Sequence, residues 1–195
     1  MSNLVHSVPV IIYCRTIVGL ILLISGGRKL TTLSDFVEIV RGFALIPAML
    51  TRAFAIILPF FECGTGICLI SSVIVGEDVA RWGGAIAMFL FAIFTVAVAI
   101  NLARGRRHIS CGCVGGRGTN IGLPLVLRNC GLILLAYVGL PVGAGLWQAN
   151  GVERLPQIAS AAIAFSTVVV WKILSTIRGL AAYGRPAESQ QEVTG

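Results

Sequence analysis

The sequence predicts an all-α integral membrane protein, a bundle of about five transmembrane helices with one interfacial amphipathic segment. Hydrophobic residues make up 56% of the 195 residues and charged residues 12%, whereas a soluble domain is about 25% charged. The apolar residues occur in blocks that approach the roughly 20 residues needed to cross a bilayer. Because the alternating pattern of barrel strands is absent, helices must satisfy the backbone polar groups in lipid.

Five apolar blocks define the predicted spans. They cover Val8–Ser25, Arg52–Val75, Trp82–Leu102, Ile121–Gly143 and Ile158–Ile177. We expect residues 1–182 to form one polytopic membrane domain. The polar residues 183–195 are expected to form a disordered tail, because they offer little apolar surface to bury.

A segment between the first two blocks, Leu33 to Leu50, is too polar to span the membrane. Asp35, Glu38 and Arg41 alternate there with apolar residues, a pattern typical of a helix that lies in the membrane interface. A short re-entrant segment is the alternative interpretation. We expect Pro47 to help end this helix, because proline disfavours a helical residue before it.

The net charge of +7 could suggest nucleic-acid binding, but no basic helix interleaved with base-stacking aromatic residues is present. The basic residues lie mainly between the apolar blocks, where they set topology. One side of the five-span arrangement carries Arg28, Lys29, Arg41, Arg52, Arg104, Arg106, Arg107, Arg117, Arg178 and Arg185, and the other carries Arg81 and Arg154. The positive-inside rule therefore predicts an outer N-terminus, a cytoplasmic C-terminus and a cytoplasmic 103–120 loop.

That loop contains Cys111-Gly112-Cys113, the strongest candidate for chemistry. A disulfide between the two cysteines would close a very small, strained ring, and strain makes a disulfide easier to reduce. Neighbouring arginines favour the reactive thiolate. The pattern thus predicts an exchangeable, catalytic dithiol. A metal site with His108 is the alternative, but zinc wants four ligands and the loop offers no evident fourth, so we predict no metal. A chance pair without redox function is the third interpretation.

Four other cysteines, Cys14, Cys63, Cys68 and Cys130, fall inside predicted spans. Buried cysteine behaves as a small apolar residue, so a structural role is the simple interpretation, and a relay to the Cys111 loop is the functional one. Cys63 and Cys68 cannot pair within one helix, because five residues place them about 140° apart around its axis.

Ionisable residues inside the spans are costly and usually face the bundle interior. We predict that Glu62 pairs with Arg15 or Arg128, as a structural ion pair or as a proton acceptor beside Cys63. Arg28-Lys29 is expected to anchor the end of the first span at the membrane surface.

Small and amide side chains are expected to mediate contacts between the helices. Asn101 and Asn129 could hydrogen-bond from one helix to another. Close helix approach is expected at Gly19, Gly26, Gly27, Gly64, Gly66, Gly83 and Gly84.

The motifs together resemble a known family. In chain order they are Arg15, Ser25-Gly26, Lys29-Leu30, Pro59, Glu62, Asn101-Leu-Ala-Arg-Gly105, Cys111-Gly-Cys-Val-Gly115 and Arg128-Asn129. This order, from about residue 10 to residue 177, resembles MauE, the methylamine utilisation membrane proteins, within a broader group similar to DoxX-type membrane proteins. The Cys-Gly-Cys loop followed by Arg-Asn is the most specific part.

The resemblance implies an accessory role in methylamine degradation at the bacterial inner membrane. It implies processing, transport or maturation of the methylamine dehydrogenase beta subunit, a disulfide-rich periplasmic protein, with a MauD-like thioredoxin-fold partner. It does not imply methylamine dehydrogenase activity, and we expect no cofactor. Cys111 and Cys113 would exchange electrons with a thiol partner, although the charge count places their loop in the cytoplasm. A non-enzymatic scaffold and a small-molecule transporter remain alternatives.

Overall fold

The computed structural model describes residues 8–105, 122–140 and 158–171, and these residues form six helices. In chain order they are α1 (Val8–Thr31), α2 (Leu33–Phe43), α3 (Ala48–Val75), α4 (Glu77–Ala103), α5 (Leu123–Val138) and α6 (Ile158–Trp171). The described part of the chain is therefore all-helical, as predicted.

Three of these helices, α1, α3 and α4, are long and apolar enough to cross a membrane, with mean hydropathies of 2.0, 2.0 and 2.5. The shorter apolar helices α5 and α6 lie in the fourth and fifth predicted blocks, so the count of five spans stays a prediction. Large apolar side chains such as Phe60, Phe61, Trp82 and Phe89 are 59–74% exposed. Such exposure is unfavourable in water and suits contact with lipid, in keeping with a membrane protein.

The first helix is longer than predicted. The expected end at Ser25 is wrong, because α1 continues through Gly26-Gly27 to Thr31. The glycines are accommodated within the helix because tertiary packing outweighs their low helix propensity. This extension brings Lys29 into the helix and adds a full turn to its buried face.

Helices α1 and α3 pack backbone to backbone through small residues. A Cβ added at Gly19 would lie 3.0 Å from the carbonyl oxygen of Gly66, and one at Gly66 would lie 2.7 Å from that of Gly19. One added at Gly26 would lie 2.7 Å from Cys63 Sγ. Any larger residue would push the helices apart, so these three glycines set their spacing.

The other predicted glycine contacts divide into two groups. A Cβ at Gly84 would lie 2.6 Å from Leu140 Cδ2, and one at Gly83 would lie 3.3 Å from Leu69 Cδ2. At Gly27 and Gly64 an added Cβ would meet nothing within 4 Å among the described residues. The prediction of close approach is therefore wrong for Gly27 and Gly64.

The amphipathic segment between α1 and α3 forms the helix α2. It buries Phe36 and Val40, while Glu38 and Arg41 form an exposed ion pair at 2.6 Å. The expectation that Pro47 ends this helix is wrong. The helix ends at Phe43, where Ala44 adopts a left-handed conformation with φ 47°, and Pro47 instead precedes the first turn of α3.

Candidate functional site

A buried ion pair joins the last turn of α1 to the middle of α3. The Lys29 ammonium donates to Glu62 Oε1, and the two side chains are only 1% and 0% exposed. The predicted partners of Glu62, Arg15 and Arg128, are therefore wrong. Lys29 is also not a surface anchor, because its side chain turns into the bundle.

The same ammonium lies over two aromatic rings. Its nitrogen is 5.1 Å from the ring centroid of Phe36 on α2 and 4.5 Å from that of Phe94 on α4. Ring faces attract a cation, and more strongly where water is excluded. One lysine thus contacts three other helices, which offsets part of the large cost of burying its charge.

Arg15 forms a second polar junction further towards the N-terminus of α1. Its Nε donates to the Gly139 carbonyl at 3.2 Å and its Nη1 to Ser72 Oγ at 3.3 Å. The backbones of Gly139 and Arg15 approach so closely that a Cβ added at Gly139 would lie 3.2 Å from the backbone nitrogen of Arg15. Arg15 therefore ties α1 to the C-terminal ends of α3 and α5.

These two junctions lie at different depths of the bundle. Along α1, Arg15 and Lys29 are separated by about 21 Å at 1.5 Å per residue. Glu62 lies a similar distance, about 21 Å, from the α3–α4 turn at Gly76. The ion pair therefore lies towards the opposite end of α4, the end at which the chain leaves Ala103 for the loop that contains Cys111.

Two buried asparagines lie near the helix ends that border this loop. Asn101 is 0% exposed, its Nδ2 donates to the Ala97 carbonyl at 3.0 Å, and its Oδ1 has no hydrogen-bond partner within the described residues. Asn129 accepts a 3.3 Å hydrogen bond from Arg128 Nη2. Both described bonds are local to one helix, so they do not support the predicted interhelical bonds.

A partly open cavity of about 280 Å³ lies next to the ion pair. Phe36 and Phe94, whose rings flank the Lys29 ammonium, both line it, as do Phe43, Phe54 and Asn129. Its walls come from α2, α3, α4 and α5. The cavity is almost entirely apolar, and it can hold a lipid-soluble molecule.

The four cysteines of the described helices, Cys14, Cys63, Cys68 and Cys130, are free thiols in environments that differ. Cys14 is buried, Cys63 is half-buried against Gly26, and Cys68 and Cys130 are exposed. Their predicted relay role stays a prediction. Cys111 and Cys113, with His108, lie outside the described residues. Within the described ranges, no group of three His, Cys, Asp or Glu side chains gathers that could hold a metal ion.

Sequence reasoning missed Lys29, Phe36 and Phe94 as members of this site. A signal was present, because helical periodicity places Lys29 within about 40° of Arg15 around α1. That relation was hidden by ending the first span at Ser25. The aromatic residues carry no comparable signal, since Phe94 is one of six phenylalanines in the second and third predicted spans and Phe36 lies in the amphipathic segment.

Comparison with known proteins assigns the chain to a family. The family model described as "Methylamine utilisation protein MauE" matches residues 7–142, which include α1 to α5 and the Cys-Gly-Cys loop. No solved structure matches the chain.

Individual relatives agree with this assignment. A methylamine utilization protein MauE of Methylophilus methylotrophus is 31% identical over 177 residues, covering 89% of this chain and 86% of the relative. One from Methylorubrum extorquens is 36% identical over 126 residues, covering 64% and 65%. One from Paracoccus denitrificans is 29% identical over 179 residues, covering 89% and 90%. The chain thus belongs to the MauE family of methylamine utilisation proteins, and this membership implies a role in methylamine utilisation.

Proposed function

We propose that this protein is a membrane accessory factor for maturation of the methylamine dehydrogenase beta subunit, acting by thiol–disulfide exchange through Cys111 and Cys113. Family membership supplies the pathway. The paired cysteines in an arginine-rich loop supply the chemistry, because nearby positive charge favours the thiolate that attacks a disulfide.

The observation that carries the proposal is the position of this loop relative to the buried charges. The loop leaves α4 and enters α5 at the end of the bundle towards which the Lys29–Glu62 pair lies. Lys29 contacts α2, α3 and α4 at once. These contacts hold α4, the helix that precedes the loop, against its neighbours. A reactive thiol needs such rigid support to be positioned for exchange.

The proposed step is a dithiol–disulfide exchange. A partner dithiol, on the beta subunit or on a MauD-like thioredoxin-fold protein, attacks the Cys111–Cys113 disulfide and forms a mixed disulfide. The second partner thiol resolves it. The partner gains one disulfide and loses two electrons and two protons, while Cys111 and Cys113 become thiols.

The test replaces both loop cysteines by serine in cells that grow on methylamine. The matched control is Cys68→Ser with Cys130→Ser, which removes two exposed thiols outside the loop. We expect C111S/C113S to lower the disulfide content of the beta subunit several-fold, measured by thiol labelling and mass spectrometry, while the control leaves it unchanged. Normal beta-subunit disulfides in C111S/C113S would exclude the redox function and favour a non-enzymatic scaffold.

A further inference from the structure

The cavity beside the ion pair has the composition of a binding site for a flat, lipid-soluble molecule. Four phenylalanines, Phe36, Phe43, Phe54 and Phe94, line it together with the amide of Asn129. Its volume of about 280 Å³ is close to the lower limit of roughly 300 Å³ for small-molecule sites. Among the described residues, Asn129 is the single polar side chain that lines it, which is too few partners for ordered water, since water needs two to four hydrogen bonds.

The Asn129 side chain favours a ligand that carries a carbonyl group. Asn129 uses its Oδ1 as the acceptor for Arg128, so its NH2 group is the part that can serve a ligand. An amide NH2 donates, and a carbonyl oxygen accepts. Aromatic walls also prefer the stacked or edge-on contacts that a flat ring makes. A phospholipid acyl chain could fill the volume but could not use the amide.

We infer that this cavity binds the ring of an isoprenoid quinone. The inference rests on the proposed function, because a dithiol that oxidises partner proteins must itself be reoxidised by a two-electron acceptor. At about 1.5 Å per residue, Phe94 lies roughly 14 Å from the end of α4, and Asn129 lies roughly 9 Å from the start of α5. The cavity therefore lies within the half of the bundle nearer the end from which the Cys111 loop leaves.

The chemistry balances for this pair of reactants. The Cys111 and Cys113 S–H bonds break and one S–S bond forms. Two electrons and two protons pass to the two carbonyl oxygens of the quinone, which becomes a quinol. The quinol leaves laterally into the bilayer, and the disulfide is ready for the next partner dithiol.

The test uses the full-length protein in lipid nanodiscs with an azido-benzoquinone photoprobe, mapped by mass spectrometry. Ala97 lines the cavity, so Ala97→Phe should fill it and reduce labelling at least ten-fold. Ala99→Phe, on an exposed position of the same helix, is the matched control and should stay within two-fold. We expect labels on α2 and α4, competed by decyl-benzoquinone and not by a fatty acid.

Several outcomes would overturn the inference. They are labelling elsewhere in wild-type protein, equal labelling of A97F, or equal competition by a fatty acid, which would mark an acyl-chain site. The positions labelled in the wild-type protein still test the quinone site if A97F fails to fold. Probe binding requires neither loop cysteine, so C111S/C113S should label normally. Failure of the quinone site is thereby distinguishable from failure of the redox function, which is read from beta-subunit disulfides.

Discussion

Lys29 on α1 and Glu62 on α3 form an ion pair that is 99% or more buried in the bundle. The ammonium also faces the rings of Phe36 and Phe94. Water reaches neither charged group, so each is stabilised by the other inside the bundle. The pair therefore fixes how α1 and α3 are rotated relative to each other. The effects of replacing Lys29 and Glu62 on the free energy of unfolding should therefore not be additive.

Removing one member of this pair should be far more damaging than removing both. Lys29→Met leaves a buried carboxylate without its ammonium, and breaking a buried pair costs about 3–5 kcal/mol. The double variant K29M/E62M buries no charge and should recover most of the loss. The free energy of unfolding of the purified variants in nanodiscs measures both the loss in K29M and its recovery in K29M/E62M.

The exposed Glu38–Arg41 pair on α2 is the matched control. Exposed pairs contribute less than about 1 kcal/mol, so Arg41→Met should have little effect on the free energy of unfolding. A double variant K29M/E62M that is no more stable than K29M would contradict the coupling.

Helix spacing should be sensitive at Gly66 and insensitive at Gly64, although both lie on α3. Gly66→Ala places a methyl group 2.7 Å from the Gly19 carbonyl oxygen, and overpacking of this kind costs about 1–3 kcal/mol. Gly64→Ala meets nothing within 4 Å among the described residues and should be neutral or stabilising by up to about 1 kcal/mol. Thermal unfolding of the two variants should separate them, and equal effects would show that Gly66 does not set the spacing.

We expect Asn101 to lower the stability of the folded protein and to be kept because it is needed for function. Its Oδ1 is buried without a hydrogen-bond partner among the described residues, and such an atom costs about 1–3 kcal/mol. Asn101→Leu should therefore leave stability unchanged or raise it, while lowering beta-subunit maturation. The free energy of unfolding checks the first effect. Full maturation of the beta subunit by the N101L protein would show that Asn101 has no functional role at the loop.

The membrane side of the loop is measurable directly. The charge pattern predicts that Cys111 and Cys113 face the cytoplasm, so a membrane-impermeant thiol reagent should label them only after lysis of spheroplasts. The label is read in the C14S/C63S/C68S/C130S variant, which keeps only the two loop thiols of the six cysteines. Labelling of intact spheroplasts would overturn the predicted topology and allow direct exchange with periplasmic partners. Protection until lysis limits direct exchange to partners reached from the cytoplasm, such as the beta subunit before its export.

Composition and block length were enough to predict the helical membrane fold, because a bilayer imposes a length and a polarity on each span. The partner of Glu62 was not predictable in the same way. Choosing Lys29 over Arg15 or Arg128 depends on the relative rotation and depth of α1 and α3, which the contacts at Gly19, Gly26 and Gly66 determine. The end of α1 was missed because Gly26-Gly27 resembles a helix terminus, whereas here Gly26 permits close packing against Cys63.

The most direct test of the redox role is a search for a trapped mixed disulfide. In the reverse direction of the same exchange, Cys111 attacks the disulfide of an oxidised partner, releasing one partner thiol, and Cys113 then resolves the mixed disulfide. Replacing Cys113 by serine removes that resolving thiol and leaves Cys111 to hold the partner covalently. In cells growing on methylamine, we predict a DTT-sensitive adduct between the C113S protein and the beta subunit or a thioredoxin-fold partner, absent from C111S/C113S. The contradicting result is that C113S and Cys111→Ser both give no adduct while the beta subunit acquires its normal disulfides.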